Sequence, residues 1–266
     1  MDLGLLNKVA IVTGSSKGIG KAIALAFAKE GCRVVLNARN AQELELTAEE
    51  LRCTKAQVLA IPADLTKAED AKRLVDETVA HFQTVHILVN NVGGIGSFSP
   101  FESLSDDDWQ AVWELNVMSA VRVTRAVLPY MQRQQWGRII NIASESGIQP
   151  DPLMPHYNAS KAALINLTKS LSKAYGTYGI LVNTVSPAFI RTPLVLDMLR
   201  KLAQQQGITE EEAEKRFLKE NRPHIVLGRA GTVDETAAVV LFLASEAASF
   251  ITGSNYRVDG GSVASI

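Results

Sequence analysis

Short apolar runs alternate along this chain with longer segments whose apolar residues recur every three or four places. Val9 to Val12 opens the series, followed by Arg33 to Asn37, Gln57 to Ile61, His86 to Asn90, Arg138 to Ile142 and Ile180 to Val185, with Asn255 to Val258 closing it. Nearly unbroken apolar runs of this length read as strands buried on both faces of a parallel sheet. Between them the helical period holds over Lys21 to Glu30, Gln42 to Cys53, Lys67 to Phe82, Asp106 to Arg133 and Pro155 to Tyr175. Within the third of these, Leu74, Val75, Thr78 and Val79 are spaced to face a sheet. Ser105 stands where an N-cap belongs, and the three aspartates after it complement the helix dipole. Thr232-Val233-Asp234-Glu235 starts a capped helix through Leu243. Strands alternating with helices mean βαβ units. The prediction is an α/β fold, a doubly wound, Rossmann-like parallel sheet in three layers. No linker, low-complexity tract or solenoid repeat interrupts the pattern, so residues 1–266 are expected to form one domain.

The pattern changes between Thr192 and Arg222. Leu194, Met198, Leu199 and Leu202 lie along one helix face, and Thr209-Glu210-Glu211-Glu212 is a capping box opening a second, charged helix. Ligands of open α/β sheets bind outside the carboxyl ends of the strands, and this strandless insertion follows the sixth strand. It is expected to cover a substrate site as a lid over about 192–222.

Composition narrows the function. The chain has 266 residues, 47% of them hydrophobic and 21% charged, with a net charge of −1. No basic excess points to nucleic acid, and no apolar run is long enough to span a bilayer. The N-terminal residues lack the features of a signal peptide, so a cytoplasmic location is expected. Two cysteines, Cys32 and Cys53, are too few for a disulfide framework and read as reduced core or near-core thiols. His81, His86, His156 and His224 show no metal-ligand spacing, so no metal is expected.

Candidate chemistry begins at Thr13-Gly14-Ser15-Ser16-Lys17-Gly18-Ile19-Gly20, between the first strand and the first helix. Gly14 suits the tight turn, Gly18 lets backbone approach a phosphate, and Gly20 lets helix pack on strand. Together they offer a helix N-terminus to a pyrophosphate. The second stretch is Tyr157-Asn158-Ala159-Ser160-Lys161, near the start of a helix. Positions four apart share a helix face, so the lysine ammonium is expected to lower the phenol from its usual pKa of about 10. A phenol tuned in this way exchanges a proton with a carbonyl or alcohol oxygen. Ser144 ends the fifth strand, where a hydroxyl can steady a substrate oxygen, and spacing does not separate it from Ser146. Asn116 is a poor helix former inside a helix, suited either to a kink or to holding a water that links the lysine to solvent. Glu145 and His156 flank these groups, with a place in the pocket and a place in the fold both open to them.

These motifs resemble the short-chain dehydrogenase/reductase family of the compact type, with Thr-Gly-x-x-x-Gly-x-Gly and Tyr-x-x-x-Lys in order. The match runs from Lys8 to Gly261 and includes Asn90-Asn91-Val92-Gly93 and Pro187 through Thr192. The resemblance implies Tyr157 as acid/base and Ser144 as the oxygen-orienting group. It makes Lys161 the group that lowers the tyrosine pKa and holds the nicotinamide ribose, and Asn116 the link to a relay water. It also implies cofactor contacts from Gly14, Ser16, Lys17, Gly18, Ile19, Arg39, Asp64, Leu65, Asn91 and Gly93, and from Pro187, Ile190 and Thr192. Among these, Asp64 would meet adenine and Thr192 the carboxamide. Val92 stands where the family usually has alanine, and Ala188 where it has glycine. Both departures add bulk beside the expected cofactor.

The second strand ends in Ala38-Arg39 rather than in an acidic residue, and the glycine turn carries Lys17. A carboxylate there would repel a 2′-phosphate, whereas a guanidinium binds one, so NADP is the expected cofactor. The expected reaction is reversible hydride transfer between NADP(H) and a carbonyl or secondary alcohol. The pattern looks most like a 3-oxoacyl-thioester reductase, with a sugar or other secondary-alcohol dehydrogenase as the alternative. A non-catalytic cofactor-sensing protein of this fold would have no need of the Ser144, Tyr157, Lys161 and Asn116 set. The family resemblance further implies a homotetramer built on the long helices, with Trp109 and Trp113 placed either at that interface or in the core.

Overall fold

The computed structural model describes residues 2–265; Met1 and Ile266, the ends of the expected domain span, lie outside them. Seven strands form one sheet: β1 (Val9–Thr13), β2 (Arg33–Ala38), β3 (Val58–Pro62), β4 (Ile87–Asn90), β5 (Gly137–Ile142), β6 (Ile180–Pro187) and β7 (Asn255–Val258). Their order is β3-β2-β1-β4-β5-β6-β7 and every pairing is parallel. The nine α-helices of the described residues are α1 (Gly18–Lys29), α2 (Ala41–Arg52), α3 (Ala68–Phe82), α4 (Asp106–Trp113), α5 (Ser119–Gln134), α6 (Pro155–Tyr175), α7 (Pro193–Gln206), α8 (Glu210–Asn221) and α9 (Val233–Ala244).

The continuous apolar strands are explained by their two covered faces. Ala10, Val12, Val34, Leu36, Ile140 and Ile142 point to one face and pack with α1, α2 and α9 through Ile23, Phe27, Leu44 and Val240. Val9, Ile11, Val35 and Ile139 point to the other and pack with α3 and α5 through Leu74, Val75, Val123, Val127 and Met131. Each fully buried side chain of this size contributes about 1.5–3 kcal/mol by leaving water. Both predicted halves of the layer pattern are therefore present.

The doubly wound order makes β1 the strand at which the chain reverses, with β2 on one side and β4 on the other. Beyond the carboxyl ends of β1 and β4 the connections run to opposite faces and leave a cleft. Three local features differ from the expectation. Helix α1 begins at Gly18 rather than Lys21, because Gly20 is inside the helix and lies so close to the turn that a Cβ there would come 2.3 Å from the Gly14 carbonyl oxygen. The single helix expected over Asp106–Arg133 is interrupted by a π turn at Glu114–Met118. Cys32 is buried as expected and its burial pushes the thiol up to about 12, but Cys53, at the end of α2, is exposed.

The predicted helix starts carry their caps. Ser105 and Asp108 form a capping box on α4, as do Thr209 with Glu212 on α8 and Thr232 with Glu235 on α9. Helices α7 and α8 pack on each other after β6, burying Leu199, Ala203, Ala213 and Leu218. Of the helix face predicted from Leu194, Met198, Leu199 and Leu202, Leu199 is buried while Leu194 stands 74% exposed.

Candidate active site

The glycine turn is built by its neighbours as much as by its glycines. Gly14 and Gly18 have φ of +63° and +59°, a region that a side chain makes costly. The Thr13 hydroxyl donates to the Val89 carbonyl and accepts from the backbone N–H groups of Asn91 and Val92, joining β1 to the loop after β4. The Asn91 amide donates to the carbonyls of Thr13 and Gly14, both at 3.0 Å. Its side chain is thus spent on holding the turn. Val92 packs directly on that turn, 3.3 Å from where a Gly14 Cβ would stand. Across the cleft, a Cβ at Gly18 would face Thr192 at 3.6 Å and Pro193 at 3.7 Å, so the turn meets the start of α7. Thr192 caps that helix, its hydroxyl accepting from the Val195 N–H.

The other predicted cofactor residues are spread along the same strand ends. Ser16 accepts the Thr47 hydroxyl through its carbonyl, and Ile19 is half-buried in α1. Asp64 turns one carboxylate oxygen back onto the N–H and hydroxyl of Thr66, and Leu65 beside it is buried. Pro187 ends β6, and Ile190 is buried in a bridge to Gly231. Lys17 and Arg39 are exposed at the far end. Lys17 pairs with Glu43 at 3.6 Å, and Arg39 has no ion-pair partner among the described residues.

The second centre lies where the loop after β4, the π turn and the first turns of α6 meet. Asn116 is fully buried in the π turn. Its side-chain oxygen accepts from the Gly94 N–H at 2.8 Å, and its amide donates to the Gly94 carbonyl and to the Ser160 hydroxyl, both at 3.0 Å. Ser160 in turn donates to the Tyr157 carbonyl at 2.7 Å. The Lys161 ammonium donates to the Ile142 carbonyl at the end of β5, 2.8 Å away. A Cβ on Gly93 would come within 2.7 Å of the Asn116 oxygen and 3.1 Å of the Lys161 ammonium, so only glycine lets these groups close up.

The electrostatics correct one expectation. The Tyr157 phenol is raised above its ordinary value, not lowered. Burial is the main cause and the Glu145 carboxylate adds to it, while a hydrogen bond from Ser144 acts the other way. Lys161 lies over the face of the phenol ring, 5.6 Å from its centre, with its ammonium engaged by the Ile142 carbonyl. Burial also lowers Lys161 itself to about 8. Ser144, which holds the phenol back from rising further, also accepts the Ser146 N–H at 3.1 Å.

The flanking residues belong to the walls. Glu145 is buried, and its carboxyl is raised by that burial, against the pull of Ser262 and Arg222. His156 is buried edge-on to Trp109, ring centres 6.0 Å apart, which places Trp109 against its own chain while Trp113 remains 42% exposed. Ser160, absent from the predicted set, was discoverable: a small hydroxyl three residues after Tyr157 on one helix face can only bond back to a carbonyl or across to a neighbour.

Known proteins share this arrangement. A Bacillus subtilis protein named "uncharacterized oxidoreductase YvaG" is 40% identical over all of both chains. A 3-oxoacyl-[acyl-carrier-protein] reductase of Thermotoga maritima is 36% identical over 97% of this chain and 99% of its own. Among solved structures, the L-sorbose reductase of Gluconobacter frateurii, complexed with NADPH and L-sorbose, superposes with a TM-score of 0.95 at 37% identity over the whole of both chains. The family model described as short chain dehydrogenase matches residues 8–203, and with the parallel sheet, the glycine turn and the Tyr157–Lys161 helix in place, the chain belongs to that family.

Proposed function

We propose that this chain is an NADP-dependent oxidoreductase that reduces a carbonyl to a secondary alcohol, with Ser144, Tyr157, Lys161 and Asn116 as its catalytic group. The observation that carries the reading is the cluster of buried Ser144, Asn116 and Lys161 around the half-buried Tyr157, beside a glycine turn whose positive φ angles and missing Cβ atoms suit a dinucleotide. NADPH, held by the glycine turn, would supply the hydride. Ser144 holds the substrate oxygen, and Tyr157 gives that oxygen a proton. A phenol raised by burial is protonated at neutral pH, which suits a donor in the reductive direction. Lys161, kept beside the ring, stabilises the phenolate that the proton leaves behind. Both ends of the Asn116 amide are engaged, so a relay water at this residue would meet its main chain.

For the cofactor, Arg39 and Lys17 would take the 2′-phosphate, helped by the absence of an acid at Ala38. The NADPH bound in the sorbose reductase supports that choice. For the substrate, the 3-oxoacyl thioester is supported by the Thermotoga relative, and a ketose by the sorbose reductase. Helices α7 and α8 are read as the lid over about 192–222. The free thiols suit a cytoplasmic location, and the exposed Trp113 suits a homotetramer, which light scattering would test.

The test is purified protein with NADPH or NADH against a panel of 3-oxoacyl thioesters and ketoses. NADPH is expected to be preferred about tenfold to hundredfold, the worth of one charge-assisted hydrogen bond. Tyr157→Phe is expected to lower turnover about a hundredfold to ten-thousandfold while NADPH still binds by fluorescence. Turnover that survives the substitution would overturn the assignment of the proton donor.

A further inference from the structure

The catalytic reading leaves unexplained why a serine with no surface exposure stands between Tyr157 and Lys161. Ser160 has one proton to donate, and it goes to the Tyr157 carbonyl at 2.7 Å. Toward Asn116 the hydroxyl can therefore only accept, and the group it accepts from is the amide nitrogen, 3.0 Å away. This direction has a consequence for the asparagine. An amide can be turned over with little change of shape, but only one orientation gives Ser160 a donor. In that orientation the oxygen faces the Gly94 N–H and the nitrogen faces the Gly94 carbonyl. Serine thus fixes the amide, and the amide fixes Gly94.

We propose that Ser160 is a positioning residue of the catalytic centre, locking the Asn116 amide and its π turn against the turn of α6 that carries Tyr157. The inference rests on the catalytic reading of Tyr157 and Asn116 given above. Two separate pieces of chain meet at this one hydroxyl, the π turn and α6, and through Asn116 they are tied to a third, the loop after β4. Among the described residues, Ser160 is the one α6 side chain bonded to Asn116. Lys161 does not replace it, since its ammonium is held by Ile142 on β5. Without the serine hydroxyl, the amide keeps both bonds to Gly94 but has a buried N–H with no acceptor and no tie to α6. The loop beside the cofactor cleft stays in place, while the asparagine and the phenol lose their common reference.

The consequence is a split effect. Ser160→Ala is expected to lower kcat about tenfold, the usual effect of one lost buried hydrogen bond, with KM for the carbonyl and Kd for NADPH within about twofold of wild type. Asn116→Ala should be lower still. In that background, adding Ser160→Ala should change kcat by less than about twofold, because the group it positions is gone. Ser160→Cys, which keeps a weak donor and acceptor, is expected to fall between wild type and alanine, and it is read in the same way should the alanine variant not fold. An unchanged kcat in Ser160→Ala would overturn the proposal, as would losses that multiply in the double variant. If Asn116→Ala is itself fully active, the catalytic reading of Asn116 fails and takes this inference with it. If Asn116→Ala is impaired while Ser160→Ala is not, only the positioning role falls.

Discussion

The floor of the cleft and its rim are built on opposite terms. On the floor, Asn116 and Ser160 have no exposure, and Lys161 and Ser144 are buried. Their polar atoms are shared among one another and with the backbone of three chain segments. On the rim, Lys17 and Glu43 form an ion pair between exposed side chains, and Leu194 is bare. Burying an amide or an ammonium is costly unless every bond is supplied, so the floor admits few residue types at few spacings. Solvent satisfies exposed groups such as these whatever they are. On the function proposed above, reaction type is written in residues that the fold constrains, and substrate choice in residues that it does not.

The largest test of this contrast is Lys161→Met. Turnover should fall by about a hundredfold or more, measured by steady-state NADPH oxidation. The stability change should have the opposite sign. Lys161 titrates at about 8 in the folded chain, below its ordinary 10.5. Between those values the unfolded chain holds a proton that the folded chain has lost, so wild-type stability rises with pH across that window. Below about pH 8 the buried charge weighs on the fold in full. The methionine variant should therefore exceed the wild type in Tm at pH 7, and the gap should narrow toward pH 10. A gap that widens would show the ammonium to be stabilising.

On the rim, Arg191 forms a bidentate pair with the buried Glu214 of α8, at 2.8 and 2.9 Å. Arg191→Met leaves that carboxylate with the Ala230 N–H as its remaining bond. Arg191 is half-exposed, so about 1–2 kcal/mol of stability is the expected loss, less than for a fully buried pair. With α7 and α8 as the proposed lid, the kinetic effect should be a three- to tenfold rise in KM at nearly constant kcat, the reverse of the Ser160→Ala split (about 1 kcal/mol either way). A fall in kcat alone would remove the distinction between floor and rim.

The smallest effect is expected of Glu43→Gln. Glu43 occupies Lys17 and places a negative charge beside the proposed 2′-phosphate site. Its neutralisation should tighten NADPH binding about threefold at low salt, leave NADH unchanged, and vanish in about 0.5 M salt, where surface charges are screened. Titration calorimetry with the two cofactors reads this directly.

Much of the molecule was legible beforehand for the same reason that separates the regions. The five central apolar runs read directly as doubly covered strands, and the Ser105, Thr209 and Thr232 caps needed nothing beyond local chemistry. The pairing of Tyr157 with Lys161 followed from helical spacing. The direction of the phenol shift did not, because spacing says nothing of how deeply a ring is buried or which carbonyl claims its neighbour. Asn116 marked the place of a kink, but nothing in the local residue pattern announces that the kink is a π turn with an extra residue. Cys53 is exposed where a core or near-core thiol was expected, because a helical pattern does not reveal where its last turn leaves the packed surface.

The π turn also sets a limit on how this chain can vary in length. Within it the Ser119 N–H reaches back five residues to Glu114, one more than an α-helix allows. One surplus residue turns everything after it by about 100° around the axis. Helices α4 and α5 are thus two rods out of phase. The first presents Val112 toward Gly96, and the second lays Val123, Val127 and Met131 onto the sheet. Deleting a single residue between 114 and 118 would bring the rods into phase and swing that apolar stripe a quarter-turn off the core. The segment should tolerate exchange of its solvent-facing side chains far better than any change in their number.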